Sequence, residues 1–198
     1  MERKYNGGIS SYQLWTTELS QFINLYLNGM SIPDIKQQGR EENLFRQSTT
    51  LQAKRCSGNL AARVKALPQP IIELFPSLDT SNQKLVALLS IMLISRILDE
   101  FVYEVYRPKI IVRDTSFHDY EVESFLNVER INNPEVGEWS VNTIQRVKGA
   151  LKYLTKSAGL FEQDGKNLVT RFPLLDPLLV TTMKATQLDY ELAALGGR

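Results

Sequence analysis

Between Ser140 and Ser157 the chain sets Asn142, Gln145, Arg146, Lys152, Tyr153 and Lys156 on one side of a helix-length segment. These residue types at near-helical spacing suit a nucleic acid. Amide side chains pair with adenine edges, a guanidinium with guanine, and an ammonium with phosphate. The other side is apolar, with Ile144, Val147, Leu151, Leu154 and Ala158. Ser140 is a good N-cap for this helix. Gly149 lies among the polar residues. A mid-helix Gly costs about 1 kcal/mol against Ala, which fits either close approach to a backbone or packing on a neighbour.

A second basic face is predicted further upstream. Ser48 or Thr49 caps a helix reaching about Leu67, and Ala53, Cys56, Leu60, Val64 and Leu67 share its apolar side. Lys54, Arg55 and Lys65 fall opposite, with Arg63 nearer the boundary. After Gly159 the period changes. Leu160-Phe161-Glu162 and Asn167–Arg171 flank Gln163-Asp164-Gly165-Lys166, and Asp-Gly is a strong hairpin signal. Lys166 near the tip and Arg171 on the second strand would reach neighbouring phosphates.

Other chemistries find little support. One Cys, Cys56, and one His, His118, leave no Cys/His zinc cluster and no di-histidine helix. Asp99, Glu100 and Glu104 are close enough in sequence for acid–base or metal work. Without a companion His or a Gly-rich phosphate loop they read as a solvated or salt-bridged face. No catalytic activity, metal or cofactor is expected. A single Cys forms no internal disulfide, and a reducing, cytoplasmic setting is expected.

The 198 residues are 43% hydrophobic and 23% charged, which excludes a disordered or collagen-like chain. The net charge of +1 hides an uneven distribution. Residues 31–67 carry seven basic and three acidic side chains, and residues 140–171 six and two. Residues 108–139 reverse the balance, with three basic and seven acidic. Separated positive patches on a near-neutral chain point either to local contact with a polyanion or to two solvated helix faces. The most apolar stretch holds only eleven residues between Lys84 and Arg96. A spanning helix needs about 20, so no membrane association is expected. The first eight residues lack the apolar core of a signal peptide.

The elements that must position these faces are nearly all helical. Thr16 or Thr17 caps a first helix with Leu19, Phe22, Ile23, Tyr26 and Leu27 on one stripe, stopped at Gly29. Ser31 and Pro33 start a short second helix ending at Gly39. Short helix, turn and longer basic helix outline a helix-turn-helix. A short helix over Gln69–Phe75 leads to one long spine from about Asp79 to Arg107, ended by Pro108. An acidic helix over Asp119–Ile131 follows, with Tyr120, Phe125 and Val128 inward, and Asp176-Pro177 opens a last helix. The expected fold is all-α, with a helix-turn-helix-like module over residues 1–67, a spine over 68–107 and a winged helix with a β-hairpin wing over 108–198.

The chain resembles the BrxA family of bacteriophage exclusion (BREX) systems over nearly its whole length. The resemblance rests on Asn6-Gly7-Gly8, Glu42-Asn43-Leu44-Phe45, Ser48 through Arg55, Arg63-Val64-Lys65-Ala66-Leu67, and Phe101 with Glu104. It continues through Trp139-Ser140 with Thr143, Leu151, Leu154 and Ala158-Gly159-Leu160. It implies a cytoplasmic, non-enzymatic protein binding double-stranded DNA, acting beside an adenine methyltransferase, a phosphatase-like protein and ATPases. Three alternatives stay open: a protein–protein adaptor within the defence complex, a sequence-specific transcription regulator and, ranked lower for want of an RNP-type aromatic pair or a Gly-x-x-Gly clamp, an RNA-binding protein.

Overall fold

A computed structural model of the chain describes residues 4–165 and 167–197. A 3-10 turn, Gly7–Ser11, precedes α1 (Thr16–Leu27), α2 (Ile32–Glu41) and α3 (Thr50–Ala66). Then come α4 (Gln69–Leu74), α5 (Thr80–Met92) and α6 (Arg96–Phe101), followed by a π turn, Val102–Tyr106, and α7 (Arg107–Val112). The remainder is β1 (Ser116–Phe117), α8 (Asp119–Asn132), α9 (Pro134–Gly137), α10 (Val141–Ser157), β2 (Phe161–Asp164), β3 (Asn167–Thr170), α11 (Pro177–Ala185) and α12 (Asp189–Ala194). The fold is thus mostly helical, with one small antiparallel sheet in the order β1-β3-β2. Ser116 lies opposite Val169, and Phe161 opposite Thr170.

Most of the helix caps expected from the sequence are made. Side-chain oxygens of Ser31, Thr49, Asp79, Ser140 and Asp176 accept from backbone N–H groups of the first turn. The first helix differs. Its cap is Trp15, in the left-handed region at φ 47°, rather than a threonine. The second helix runs past Gly39, because this glycine is a contact and not a stop. A Cβ there would sit 2.4 Å from Ser57 Oγ and 2.7 Å from Phe45, so it lets α2 close on α3.

The expected single spine is two pieces. It breaks at Leu93–Ser95 and resumes as α6. Pro108 does not end it, because the π turn just before lets Pro108 fall in the first turn of α7, where its missing N–H is harmless. Tyr106 closes the π turn and donates from its hydroxyl to the Arg171 carbonyl at 2.6 Å. Its ring meets Phe161 edge-on, and Phe161 also packs on Phe117. This aromatic group joins the spine to the sheet. The last helix is also divided, since Gln187 takes a positive φ between α11 and α12.

Buried apolar residues from Tyr5 to Leu195 form one contiguous core. At its centre lies a charge. Arg63 is fully buried, and all five of its N–H donors are used. Nε donates to Ser90 Oγ at 2.9 Å, Nη1 to the Gln13 carbonyl and Asn59, and Nη2 to the Leu14 and Ala87 carbonyls, both at 2.8 Å. Burial pushes its pKa down to about 9, leaving it charged at neutral pH. Replacing it by Ala strands buried carbonyls, and a loss of about 3–5 kcal/mol is expected. Urea unfolding of Arg63→Ala against the parent measures it, and an unchanged midpoint would contradict the account.

Candidate nucleic-acid interface

The candidate residues on α10 fall into two groups. Asn142, Gln145, Arg146 and Tyr153 are exposed. Among the described residues their side chains have no hydrogen-bond or ion-pair partner. Lys156 is exposed and donates to Gln163 Oε1 on β2 at 3.1 Å. Lys152 is half-buried and donates to Asp119 Oδ1 at 2.6 Å. Val147, Leu151, Leu154 and Ala158 are buried as their spacing predicts. Gly149 is exposed, and a Cβ added to it would meet nothing within 4 Å. Packing on a neighbour is therefore not why a glycine stands there.

The N-terminus of the chain fixes the start of α10. A Cβ on Gly7 would lie 2.8 Å from Thr143 Cγ2, so the 3-10 turn sits directly on the first turn of the helix. Tyr5 anchors that turn. Its hydroxyl lies 2.7 Å from both Glu100 Oε2 and Glu129 Oε2. Its backbone N–H donates to Glu135 at 3.0 Å, and Arg96 stacks over its ring. Burial, then the two carboxylates, pushes the Tyr5 hydroxyl far above its ordinary pKa.

On the other flank lies a cleft of about 380 Å³ between α10 and the sheet, lined by His118, Lys152, Tyr153, Lys156 and Gln163 among others. Arg171 is exposed on the segment after β3 and pairs with Glu162. Lys166 lies outside the described residues. Lys148, which the pattern did not single out, is tied to Glu123 at 2.5 Å and to Asp119 at 3.7 Å. The acidic α8 thus neutralises two of the lysines on α10, and Lys152 holds the Asp119 carboxyl below its ordinary pKa. A sequence signal existed: acids four apart in α8 and lysines four apart in α10, each pair on one helical face.

Of the four upstream candidates, Lys54, Arg55 and Lys65 are exposed on α3. Arg63 is not, and its guanidinium, enclosed by backbone carbonyls, reaches no ligand. Arg55 also lines a polar hollow of about 370 Å³ with Arg46, Trp15 and Ser48. Cys56 is buried, and burial pushes its thiol up to about 12, leaving it unreactive at neutral pH. Asp99 is buried rather than solvated, and Glu100 pairs with Arg96 at 2.7 Å. Among the described residues no group of His, Cys, Asp or Glu could hold a metal ion, and no helix is long and apolar enough to cross a membrane.

The model of the family described as BrxA matches residues 3–187. The chain belongs to the BrxA family. This BrxA-family chain is 25% identical, over 184 residues, to the BREX protein BrxA of Bacillus cereus (strain H3081.97), an alignment covering 93% of this chain and 92% of the relative. Its fold is also similar to that of an uncharacterized protein from Magnetospirillum magneticum, solved by crystallography. The TM-score is 0.79 with 13% identity, covering 96% of this chain and 97% of the other.

In this BrxA-family member one carboxylate fixes the turn that leads into the sheet beside the candidate surface. Asp114 Oδ1 accepts from the Ser116 N–H at 2.8 Å and from its hydroxyl at 2.7 Å, while Oδ2 takes the Lys109 ammonium at 3.1 Å. Ser116 first, then Lys109, holds the Asp114 carboxyl down at about 2. A carboxyl depressed on folding stabilises the protein above its unfolded pKa and ceases to do so as pH falls through the folded value. Denaturant unfolding between pH 4 and pH 2 is expected to show stability lost more steeply in the parent than in Asp114→Asn.

Proposed function

We propose that this chain is a non-enzymatic, double-stranded DNA-binding component of a BREX bacteriophage-defence system. It contacts chiefly the phosphate backbone. The BREX name of the Bacillus cereus relative supports the setting. The element order β1, α8, α10, β2, β3 with strand order β1-β3-β2 supports a winged-helix reading of residues 108–198. In that reading α10 is the recognition helix and the β2–β3 hairpin, with Lys166 and Arg171, the wing. The exposed Lys54, Arg55 and Lys65 on α3 form the contact surface of a helix-turn-helix-like module over residues 1–67. Residues 68–107 link the two as a spine. The methyltransferase, phosphatase-like protein and ATPases of such a system are its partners, in the cytoplasm.

Gly149 carries the reading. A helix 17 residues long accepts a glycine at mid-length, facing open space amid Gln145, Arg146, Lys152 and Tyr153. Its cost of about 1 kcal/mol relative to Ala is not recovered by packing. It fits a surface that a sugar-phosphate backbone approaches closely. The free amide and guanidinium groups beside it are the donors and acceptors such a contact uses.

Fluorescence anisotropy with a labelled duplex of about 30 base pairs is the direct test, and affinity should fall steeply with salt if about 4–8 phosphates are contacted. Arg146→Glu with Lys156→Glu should weaken binding at least about tenfold and flatten the salt slope. Unchanged binding in this variant would remove α10 from the interface, and no binding at low salt would end the DNA reading. Gly149 separates stability from binding. Gly149→Ala should raise stability by about 0.5–1 kcal/mol, whereas Gly149→Leu should weaken DNA binding without unfolding the protein. In the opposite direction, Asp119→Asn with Glu123→Gln frees Lys148 and Lys152 and should tighten binding.

A further inference from the structure

The acidic helix α8 has a second face that the DNA reading leaves unused. Val122, Phe125, Leu126 and Glu129 are buried, whereas Tyr120, Val128 and Ile131 point outward, with Ile131 83% exposed. Tyr120 and Val128, expected in the core, are therefore on the surface. At the end of α7, Ile111 and Val112 are 63% and 71% exposed, and Val112 lines a groove with Tyr120 and Val128. Between α7 and α8 runs a groove of about 440 Å³, its wall made by Val105, Pro108, Val112, Phe125 and Val128. Large side chains gathered along a groove in this way mark an interaction surface rather than the scattered exposure normal for monomers.

The charge around the groove is one-sided. Glu104, Asp114 and Glu121 line it against a single ammonium, Lys109. Lys109 is already shared by Asp114 at 3.1 Å and Glu121 at 2.6 Å. Glu104 lines the groove and feels the charges of the Glu100 and Glu129 carboxylates. Burial, then the charges of Glu129 and Glu100, pushes its carboxyl up. An arriving cation would relieve that repulsion. Residues 108–139 as a whole carry seven acidic and three basic side chains. A second copy seated here would bring two acidic rims together, and a nucleic acid would be repelled.

We infer that the groove between α7 and α8 receives a basic amphipathic helix of a partner protein, its apolar stripe on Val112, Tyr120 and Val128 and a Lys or Arg on Glu104. Such a helix lays residues spaced i, i+3 or i+4 and i+7 into a slot of this kind. The groove lies on the α7 side of α8, whereas Asp119 and Glu123 of α8 turn to Lys152 and Lys148 of α10. The partner helix and the α10 surface thus occupy different sides of α8 and can be engaged together. The inference is independent of whether α10 binds DNA.

The test uses the full chain and a fluorescent peptide of Leu and Lys, about 18 residues or five turns long, with leucines along one face. Two control peptides have the same composition in scrambled order and Glu in place of Lys. Saturable binding of the Leu/Lys helix, at least about tenfold tighter than either control, is expected. Glu104→Lys and Val128→Asp, both at exposed positions, should each weaken it at least about tenfold, with thermal unfolding unchanged. Absence of saturable binding would overturn the inference, as would equal affinity in both variants, which puts the peptide elsewhere. A dimer seen by light scattering and dissolved by Val128→Asp would assign the groove to a second copy, also against it.

Discussion

Arg63 holds together three parts of the chain far apart in sequence, and does so from a place where a charge is costly. Its guanidinium reaches the Gln13 and Leu14 carbonyls before α1, Asn59 on its own helix, and Ala87 and Ser90 on α5. Burying an ion is tolerated when every donor is matched, and here five donors meet five acceptors. The carbonyls before α1 have no helical partner of their own, so the arginine supplies the hydrogen bonds that let this connection be buried. The basic face of α3 depends on that arrangement. With its side fixed inward by Arg63 and the apolar stripe, Lys54, Arg55 and Lys65 are left outside.

A reading based on period finds α3 and α10 easily, because Leu60, Val64 and Leu67, or Val147, Leu151 and Leu154, repeat at helical spacing and all are apolar. It leaves Arg63 near the boundary and counts it with the basic face because charged residues rarely go fully inside, and nothing in one sequence announces the backbone carbonyls awaiting it. In α8 the buried set is Val122, Phe125, Leu126 and Glu129. Its spacing is that of a core stripe, but the fourth member is an acid held by Tyr5 and Asn133. That substitution makes Tyr120, Phe125 and Val128 look like the inward face. Strand β1 is two residues long, too short for any alternation to register. The spine's break at Leu93–Ser95 leaves one mark in a largely apolar run, Ser95 at the N-cap of α6, and the apolar residues on both sides outweigh it.

The candidate interface illustrates a related distinction between charge count and charge availability. Residues 140–171 are strongly basic by composition, yet Lys148 and Lys152 are engaged by Glu123 and Asp119 and Arg171 by Glu162. Arg146 stands free beside uncharged Asn142, Gln145 and Tyr153. A surface so arranged offers hydrogen-bonding groups more than net positive charge, because α8 neutralises part of the charge. The same acids that restrain α10 on one side of α8 continue, through Glu121, into the groove on the other.

The π turn at Val102–Tyr106 contains one residue more than an α-helix would use over the same path. Each residue advances a helix by about 100°, so the turn acts as a phase shift between α6 and α7. Upstream of it, Ile97, Leu98 and Phe101 face the core. Downstream, Lys109 meets Asp114 and Glu121 while Ile111 and Val112 face outward. Loss of a single residue within the turn would restore regular helix and rotate everything beyond it by about a quarter of a revolution. Lys109 would swing away from its two carboxylates and the outward aliphatics toward different neighbours. One codon therefore sets whether this end of the spine presents an ion pair and a groove or a rearranged surface, which makes the turn a natural point for relatives to diverge in what they hold.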